Sequence, residues 1–192
     1  MFRELLRERL GGIAELTDEQ VLALEAHYNL LVRWNRRLNL TAIRDLDEVI
    51  ERHYCESIFL AARLPASRLR IADVGSGAGF PGLPVAVCRP DCLVTLIESH
   101  QRKAVFLKEA ARALPNIRVV AGRAEQLHEQ FDLAISRAVS YQALSPSLKL
   151  LAPVADLLGG AEGAPPEVGF VWEPPIPMPW GKQRYLRIGH RV

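Results

Sequence analysis

Residues 73–82 contain the feature that most constrains how this chain folds. The apolar run 69–74 leads into alternating glycines, in the order Asp-Val-Gly-Ser-Gly-Ala-Gly-Phe-Pro-Gly. Glycine permits positive φ angles and lets a ligand approach the backbone without meeting a Cβ atom. A helix that begins directly afterwards presents free amides to that ligand. The segment therefore predicts a strand, a ligand-binding turn and a helix.

Strand and helix signals alternate beyond residue 70. They fall at the following positions: strands at 69–74, 93–97, 117–121 and 131–136, and helices at 82–89, 101–114 and 143–151. This alternation is typical of βαβ units, which form a parallel sheet and bind ligands at the carboxyl ends of its strands. Strand-like pieces at 168–171 and 185–188 predict a closing antiparallel hairpin. We predict an α/β domain.

The first seventy residues instead carry helical patterns. Thr17 with Gln20, and Asp45 with Glu48, match the start signals of helices, and apolar residues recur at three- and four-residue steps after each pair. A shorter helix is predicted at 2–10. We predict an N-terminal helical extension, residues 1–68, packed on a core domain of residues 69–192.

The glycine turn leaves two cofactor classes to compare. Gly77, Gly79 and Gly82 match the dinucleotide fingerprint of NAD-dependent oxidoreductases. In that fingerprint, however, the first glycine follows the strand directly, and Asp73 would place a negative charge where a pyrophosphate approaches. A phosphate-free nucleoside with a sulfonium tolerates the acid. The D-x-G-x-G-x-G form resembles S-adenosylmethionine-dependent methyltransferases with a Rossmann-like fold, a mostly parallel sheet with helices on both faces, and we favour that interpretation.

Two other positions suit a bound nucleoside. Glu98 ends the second predicted strand, where an acid accepts hydrogen bonds from ribose hydroxyls. The segment 122–125, Gly-Arg-Ala-Glu, follows the third strand, where a backbone amide and a small side chain suit an adenine ring. An ordinary strand-to-helix turn explains the second segment equally well.

Composition excludes several classes of protein. The 192 residues include 24 basic and 22 acidic side chains, and no segment forms a basic arm. No apolar run approaches the ~20 residues of a membrane span, and residues 1–10 do not form a secretory signal. Three cysteines are too few for a disulfide framework. We expect a cytoplasmic monomer with free thiols and no metal site.

A set of short motifs is more specific than the glycines. In chain order they are Asn39-Leu40-Thr41-Ala42-Ile43, Arg52-His53, the segment 73–82, Leu96-Ile97-Glu98-Ser99, Lys103-x-x-Phe106-Leu107 and Ser136-Arg137-Ala138. This series resembles the glucose-inhibited division protein B family over about residues 28–143. The resemblance implies an S-adenosylmethionine-dependent methyltransferase that modifies N7 of a guanine in 16S ribosomal RNA of the small ribosomal subunit.

The resemblance also implies site residues. Those implied to contact the cofactor are Gly75, Gly77, Gly79 and Phe80 in the turn, Glu98 at the ribose, Ala124 and Glu125 at the adenine, and Arg137. Those implied to face the target base are Asn39, His53 and Arg137. Two departures stand out: Glu56 occupies a position where the family usually has Asp, and no lysine follows the glycines at 159–163. The second departure puts the fifth strand and part of the RNA surface in question.

The implied reaction requires neither a nucleophilic side chain nor a catalytic acid or base. Methyl transfer to pyrimidine C5 requires a cysteine near or beyond the fourth strand, and Cys55, Cys88 and Cys92 all come earlier. Guanine N7 has an in-plane lone pair and no proton at neutral pH, so in-line displacement requires orientation and not a general base. We therefore assign no catalytic acid or base, and we expect Arg137 to hydrogen-bond the guanine or the cofactor's carboxylate.

Three alternatives stay open at this point. They are a non-catalytic or different-acceptor S-adenosylmethionine-binding protein, a small-molecule methyltransferase and an NAD-dependent oxidoreductase. RNA contact would have to come from arginines scattered in the sequence. The candidates are Arg33, Arg36, Arg37, Arg44, Arg52, Arg123 and Arg184.

Overall fold

The computed structural model describes residues 1–137, 141–160 and 169–192. These residues form one mixed sheet of eight strands. The strands are β1 Arg70–Val74, β2 Leu93–Glu98, β3 Ile117–Ala121, β4 Leu133–Arg137, β5 Val154–Gly159, β6 Phe170–Trp172, β7 Ile176–Pro177 and β8 Tyr185–Arg191. The strand order is β3-β2-β1-β4-β5-β8-β6, and β7 pairs with β8 beside that path.

The first five strands run parallel, as the βαβ pattern predicts. Asp73 of β1 lies between Leu96 of β2 and Ile135 of β4. Chain order reverses between β1 and β4, which is the place where open α/β sheets bind ligands at their carboxyl edge. The closing hairpin is confirmed in its described part, because β8 is antiparallel to both β5 and β6. Residue 168 of the predicted piece 168–171 lies outside the described residues.

The fifth strand corrects an expectation. The departure at 159–163 put this strand in question, yet Val154–Gly159 pairs in parallel with the whole of β4. On its other side β5 pairs with β8, from Val154 opposite His190 to Gly159 opposite Tyr185. A strand with partners on both edges satisfies its backbone hydrogen bonds without any particular residue after it.

Helices cover both faces of the sheet. They are α1 Phe2–Leu10, α2 Asp18–Leu38, α3 Leu46–Val49, a π-helical turn Ile50–Cys55, α4 Glu56–Ala61, α5 Gly82–Cys88, α6 Gln101–Ala110, a 3₁₀ turn Ala124–Gln126 and α7 Tyr141–Leu151. The predicted helix 101–114 ends early, at Ala110, because the chain turns there to enter β3. No helix within the described ranges has the length and apolarity needed to cross a membrane.

The start signals of the N-terminal helices are confirmed. The Thr17 hydroxyl accepts from the Gln20 amide at 3.2 Å, and the Gln20 side chain accepts from the Thr17 amide at 2.9 Å. Asp45 accepts from the Glu48 amide at 3.0 Å. Each such cap stabilises its helix by about 1 kcal/mol, so these two residues determine where the helices begin.

Two apolar clusters occupy the two faces of the sheet. The larger unites buried side chains of the N-terminal helices, such as Leu6 and Leu24, with Ile71 and Phe106 of the sheet layer and its helices. The smaller lies under α7 and includes Ala72 and Leu148. Alternate residues of β1 face opposite clusters, as a strand buried on both faces requires. The division of the chain after residue 68 stays a prediction.

Candidate functional site

The glycine turn curls over the end of β2. Gly75, Gly77 and Gly79 have φ angles of 74°, 56° and 92°, a region that side chains with a Cβ rarely occupy. The amides of Gly75 and Ser76 both donate to the Ile97 carbonyl, at 2.9 and 3.1 Å. The three glycines are therefore required by the path of the turn.

Asp73 lies buried beneath this turn and serves the fold. Its Oδ2 accepts from the Gly82 amide at 3.0 Å, whereas Oδ1 has no hydrogen-bond partner among the described residues. Burial raises the pKa of this carboxyl to about 7. Because the Gly82 amide at the start of α5 is already occupied by a carboxylate, the turn does not offer the phosphate cradle of a dinucleotide site.

Glu98 braces the turn from the end of β2. Its Oε2 accepts from the Gly77 amide at 2.9 Å and its Oε1 from the His100 amide at 2.7 Å. Sequence reasoning did not predict these two contacts. Each carboxylate oxygen keeps a second lone pair, so Glu98 can still accept from two ribose hydroxyls. Its role as ribose ligand stays a prediction, now with a carboxylate that is fixed in place.

A cavity of about 180 Å³ opens at the carboxyl ends of β1, β2 and β3. Gly75, Ala124 and Glu125 line it together with the apolar side chains of Ile97 and Leu144. Ser99, Arg123 and Ser147 line it as well, so the cavity combines apolar walls with polar groups, as small-molecule sites do. The structure thus gathers three of the predicted cofactor residues around a space suited to a flat base.

Glu125 is held at the rim of that cavity. The Ser147 hydroxyl of α7 donates to its Oε1 at 2.7 Å, and this bond lowers the pKa of the carboxyl. The carboxylate is therefore ionised and its position is fixed by α7. No sequence signal connected Ser147 with the site.

Phe80 and His53 form an aromatic stack at the other side of the turn. Their ring centroids lie 4.6 Å apart with an interplanar angle of 26°. His27 and Tyr54 also contact the Phe80 ring. Phe80 belongs to the turn as predicted, but its ring packs against the N-terminal helical layer and does not line the cavity.

His27 anchors the turn from α2, a role that the sequence did not reveal. Its Nε2 lies 3.0 Å from the Ala78 carbonyl and donates to it. The other ring nitrogen, Nδ1, is 2.9 Å from the Tyr54 hydroxyl, which donates to it. Burial lowers the pKa of His27 to about 4, so the ring is neutral and connects the glycine turn to Tyr54 through its two hydrogen bonds.

Arg137 and His53 meet although 84 residues separate them. The guanidinium of Arg137 donates to His53 Nδ1 and to the Arg52 carbonyl. A guanidinium cannot accept a hydrogen bond, so His53 carries its proton on Nε2 and donates it to the Thr41 hydroxyl at 2.8 Å. Burial first, and then Arg137, lower the pKa of His53 to about 2. His53 is therefore a neutral positioning group.

Asn39 lies apart from this chain of contacts. It ends α2 in the left-handed conformation, with φ 45° and ψ 53°, and is exposed. Two neighbours hold the segment instead: the Asn35 amide group donates to the Thr41 carbonyl at 2.9 Å and its oxygen accepts from the Thr41 amide at 3.0 Å. The role of Asn39 toward the target base stays a prediction.

Glu56 is fully buried among three arginines. Arg184 makes two hydrogen bonds to its carboxylate, at 2.8 and 2.7 Å. Arg52 lies 3.3 Å from Oε1 and Arg137 lies 3.9 Å from Oε2. Burial lowers the pKa of Arg137 to about 10, an effect that Glu56 opposes. The Glu56–Arg184 pair joins residues 128 apart, which no local pattern could have revealed.

The predicted RNA-contacting arginines have different surroundings. Arg52 and Arg184 contact Glu56, and Arg123 lines the cavity beside Ala124. Arg33 is neutralised by Glu109, 3.0 Å away. Within the described ranges, Arg36, Arg37 and Arg44 form no ion pair closer than 4.0 Å. Arg36 and Arg44 also border a second cavity, of about 170 Å³, against α2. Of the predicted arginines that flank residues 39–43, these three remain available to an external anion.

Comparison with known proteins gives one family. The sequence profile of the GidB family, described as rRNA small subunit methyltransferase G, matches residues 20–153. The chain is similar to the Ribosomal RNA small subunit methyltransferase G of Chromobacterium violaceum, with 42% identity over 76% of this chain and 70% of that protein. The protein of that name in Methylobacillus flagellatus is 44% identical over 68% of this chain and 63% of its own length. The second alignment thus covers less than two thirds of the relative.

Solved structures show the same architecture. A SAM-dependent methyltransferase from Aquifex aeolicus superposes with a TM-score of 0.60 at 14% identity, over 76% of this chain and 93% of that one. At this level of identity the likeness concerns the fold alone. It confirms the Rossmann-like arrangement expected from the glycine turn.

Proposed function

Because the chain belongs to the GidB family of rRNA small subunit methyltransferases G, we propose that it methylates N7 of a guanine in 16S ribosomal RNA, with S-adenosylmethionine as methyl donor. The observation that carries this proposal is the cavity beside the glycine turn. It suits a nucleoside without phosphates, since the nearest helix start is capped by Asp73. Glu98, beside the turn, supplies a fixed carboxylate that would accept hydrogen bonds from ribose hydroxyls.

The residues that would hold the cofactor are those of the turn and the cavity. Gly75 and Gly77 supply a backbone without Cβ atoms, Glu98 the acceptor for the ribose, and Ala124 with Glu125 the rim at the adenine. When bound there, S-adenosylmethionine supplies an electrophilic methyl group on its sulfonium. All of these groups are held by hydrogen bonds or packing, which reduces the entropy cost of binding.

The residues at the end of β4 suit a reaction that needs no proton acceptor. His53 is neutral, and both of its ring nitrogens are occupied, by Arg137 and by Thr41. Toward the described residues Arg137 donates two of its five N–H groups, and we propose that others serve an acceptor on the base or the cofactor. The chain thus orients the guanine and excludes water, and the lone pair of N7 acts as nucleophile.

The RNA surface that we propose follows from the unpaired cations. Arg36, Arg37 and Arg44 lie on α2 and the segment after it, on the N-terminal side of His53. Phosphate neutralisation by arginine supplies most of the sequence-independent affinity for nucleic acid. We further propose that the substrate is 16S RNA or the small subunit, and that the protein acts in the cytoplasm as a monomer.

The test is methyl transfer with base mapping. Labelled S-adenosylmethionine is incubated with small ribosomal subunits that lack the modification, and the labelled base is then identified. We expect label on N7 of one guanine, and none on subunits that already carry the modification. Label on another atom or on both kinds of subunit would contradict the proposal.

Calorimetry separates the remaining alternatives. We expect S-adenosylmethionine to bind and NADH not to bind, because the α5 amide that a pyrophosphate requires is occupied by Asp73. Cofactor binding without methyl transfer would instead support a binding protein on this scaffold. Binding of NADH would support the oxidoreductase.

A further inference from the structure

Among the described residues, the charges that contact Glu56 do not balance. Three guanidinium groups, from Arg52, Arg137 and Arg184, lie within 4 Å of one carboxylate. His53, the other titratable group in contact with Arg137, is neutral. The cluster therefore carries a net charge of about +2, estimated by counting formal charges at neutral pH.

Most of this charge is shielded from water. The side chains of Arg137 and Arg184 are only 12% and 14% exposed, and that of Glu56 is 0% exposed. Uncompensated charge in a poorly solvated place is costly unless another group neutralises it. Burial, followed by the two neighbouring arginines, lowers the pKa of Arg137, whereas Glu56 and Asp73 raise it.

Arg52 is the member of the cluster that solvent and ligands can reach. Its side chain is 36% exposed, although its Nε is itself buried and lies 3.3 Å from Glu56 Oε1. It precedes His53 in the π-helical turn, and its carbonyl accepts from Arg137. Through this carbonyl Arg52 is in contact with Arg137, the last residue of β4.

We propose that Arg52 and Arg184, held around Glu56, form an oxyanion subsite that binds a backbone phosphate of the RNA beside the target guanosine. This inference rests on the proposed function. Arginine presents several N–H donors in one plane, which matches the oxygens of a phosphate. Glu56 is the residue that positions the arginines of this subsite. Its carboxylate holds Arg184 through two hydrogen bonds, and it also attracts the guanidinium groups of Arg52 and Arg137. The proposed cofactor also carries a carboxylate, and the exposure of Arg52 favours the phosphate of a large substrate over that group.

The test compares Arg52→Gln with a matched control, Arg118→Gln. Arg118 is also an exposed arginine in an ion pair, with Glu129, but it lies on the edge strand at the far end of the sheet from β8. For Arg52→Gln we expect KM for unmodified subunits to rise about 10-fold or more, with kcat and the Kd of S-adenosylmethionine nearly unchanged. The slope of log affinity against log salt should fall by about 0.7. Arg52→Lys should recover most of the affinity, since lysine also binds phosphate.

Three results would overturn the inference. The first is an equal effect of the Gln variants at Arg52 and Arg118, which would indicate unspecific attraction. The second is a weakened Kd of S-adenosylmethionine with KM for subunits unchanged, which would assign the subsite to the cofactor's carboxylate. The third is a thermal unfolding midpoint lowered in parallel with affinity, which would make Arg52 structural. A failure of the proposed function is distinguishable, because the unaltered protein itself would then transfer no methyl group.

Discussion

Replacing Glu56 with glutamine should cost this protein a large part of its stability. The carboxylate is 0% exposed and receives two hydrogen bonds from Arg184, with Arg137 3.9 Å away. Glu56→Gln removes the charge, keeps the volume, and turns an N–H₂ group toward guanidinium donors. Removing one partner of a buried ion pair costs about 3–5 kcal/mol, because the remaining charges stay buried without compensation.

A second glutamate makes a matched control. Glu129 also lies between two arginines, 2.8 Å from Arg118 and 3.3 Å from Arg70, but its side chain is 35% exposed. Exposed pairs contribute at most about 1 kcal/mol, so Glu129→Gln should change little. The two substitutions are chemically identical and differ in burial.

Urea unfolding measures the difference. With a slope of about 2 kcal/mol per molar, a loss of about 4 kcal/mol lowers the midpoint by about 2 M. We expect such a shift for Glu56→Gln and less than about 0.5 M for Glu129→Gln. Equal shifts for the two variants, or a loss below about 1 kcal/mol for Glu56→Gln, would refute the view that burial makes the Glu56 cluster strong.

Three other substitutions test the site and its surroundings. In Gly82→Ala the new Cβ would lie 2.5 Å from Asp73 Oδ2, so unfolding should cost about 1–3 kcal/mol less and calorimetry should show weaker cofactor binding. Gly160→Ala, whose nearest contacts are 3.8 Å away, should change neither. Arg137→Ala should lower methyl-transfer turnover about 100-fold yet destabilise less than Glu56→Gln, since two arginines still neutralise Glu56; equal losses in both assays would make Arg137 structural. Burial raises the pKa of Asp156 to about 7, so the folded state keeps the carboxyl proton to higher pH than the unfolded state. The protonated carboxyl therefore makes its full contribution to the free energy of unfolding below about pH 4, and this contribution is lost as the pH rises through 7. Asp156→Asn should therefore gain about 2–3 kcal/mol relative to the unaltered protein between pH 5 and pH 8, and an unchanged difference in thermal unfolding would show that Asp156 does not titrate there.

Much of the fold was predictable because its signals are local. Thr17 and Gln20 are three residues apart and cap each other's amides, and such a contact depends only on the nearby chain. The strand before the glycine turn and the helix after it were found in the same way. The fifth strand was the element in question, because its pairing with β4 and β8 is decided by partners far along the chain and not by its own residues.

The same difference between local signals and contacts with distant parts of the chain applies to the candidate site. The turn, Glu98 and the cavity residue Ala124 could be located from the sequence, because each follows the end of a parallel strand and such ends meet at one edge. The hydrogen bonds that hold those residues in place could not be predicted. Glu98 bonds to the amides of Gly77 and His100, and His27 reaches the turn from α2, contacts that exist only once the helices are packed.

Local patterns in the amino-acid sequence were enough to predict the type of fold and the glycine turn, and the short motifs were enough to predict the family. Backbone requirements such as positive φ, and caps that act within one helical turn, are properties of neighbouring residues. Which arginines an acid neutralises depends, by contrast, on the tertiary structure. Arg33 carries the same charge as Arg36 in the sequence, but packing places Glu109 beside Arg33. Electrostatic energy depends on distance and solvent exposure, and both are set by the folded chain.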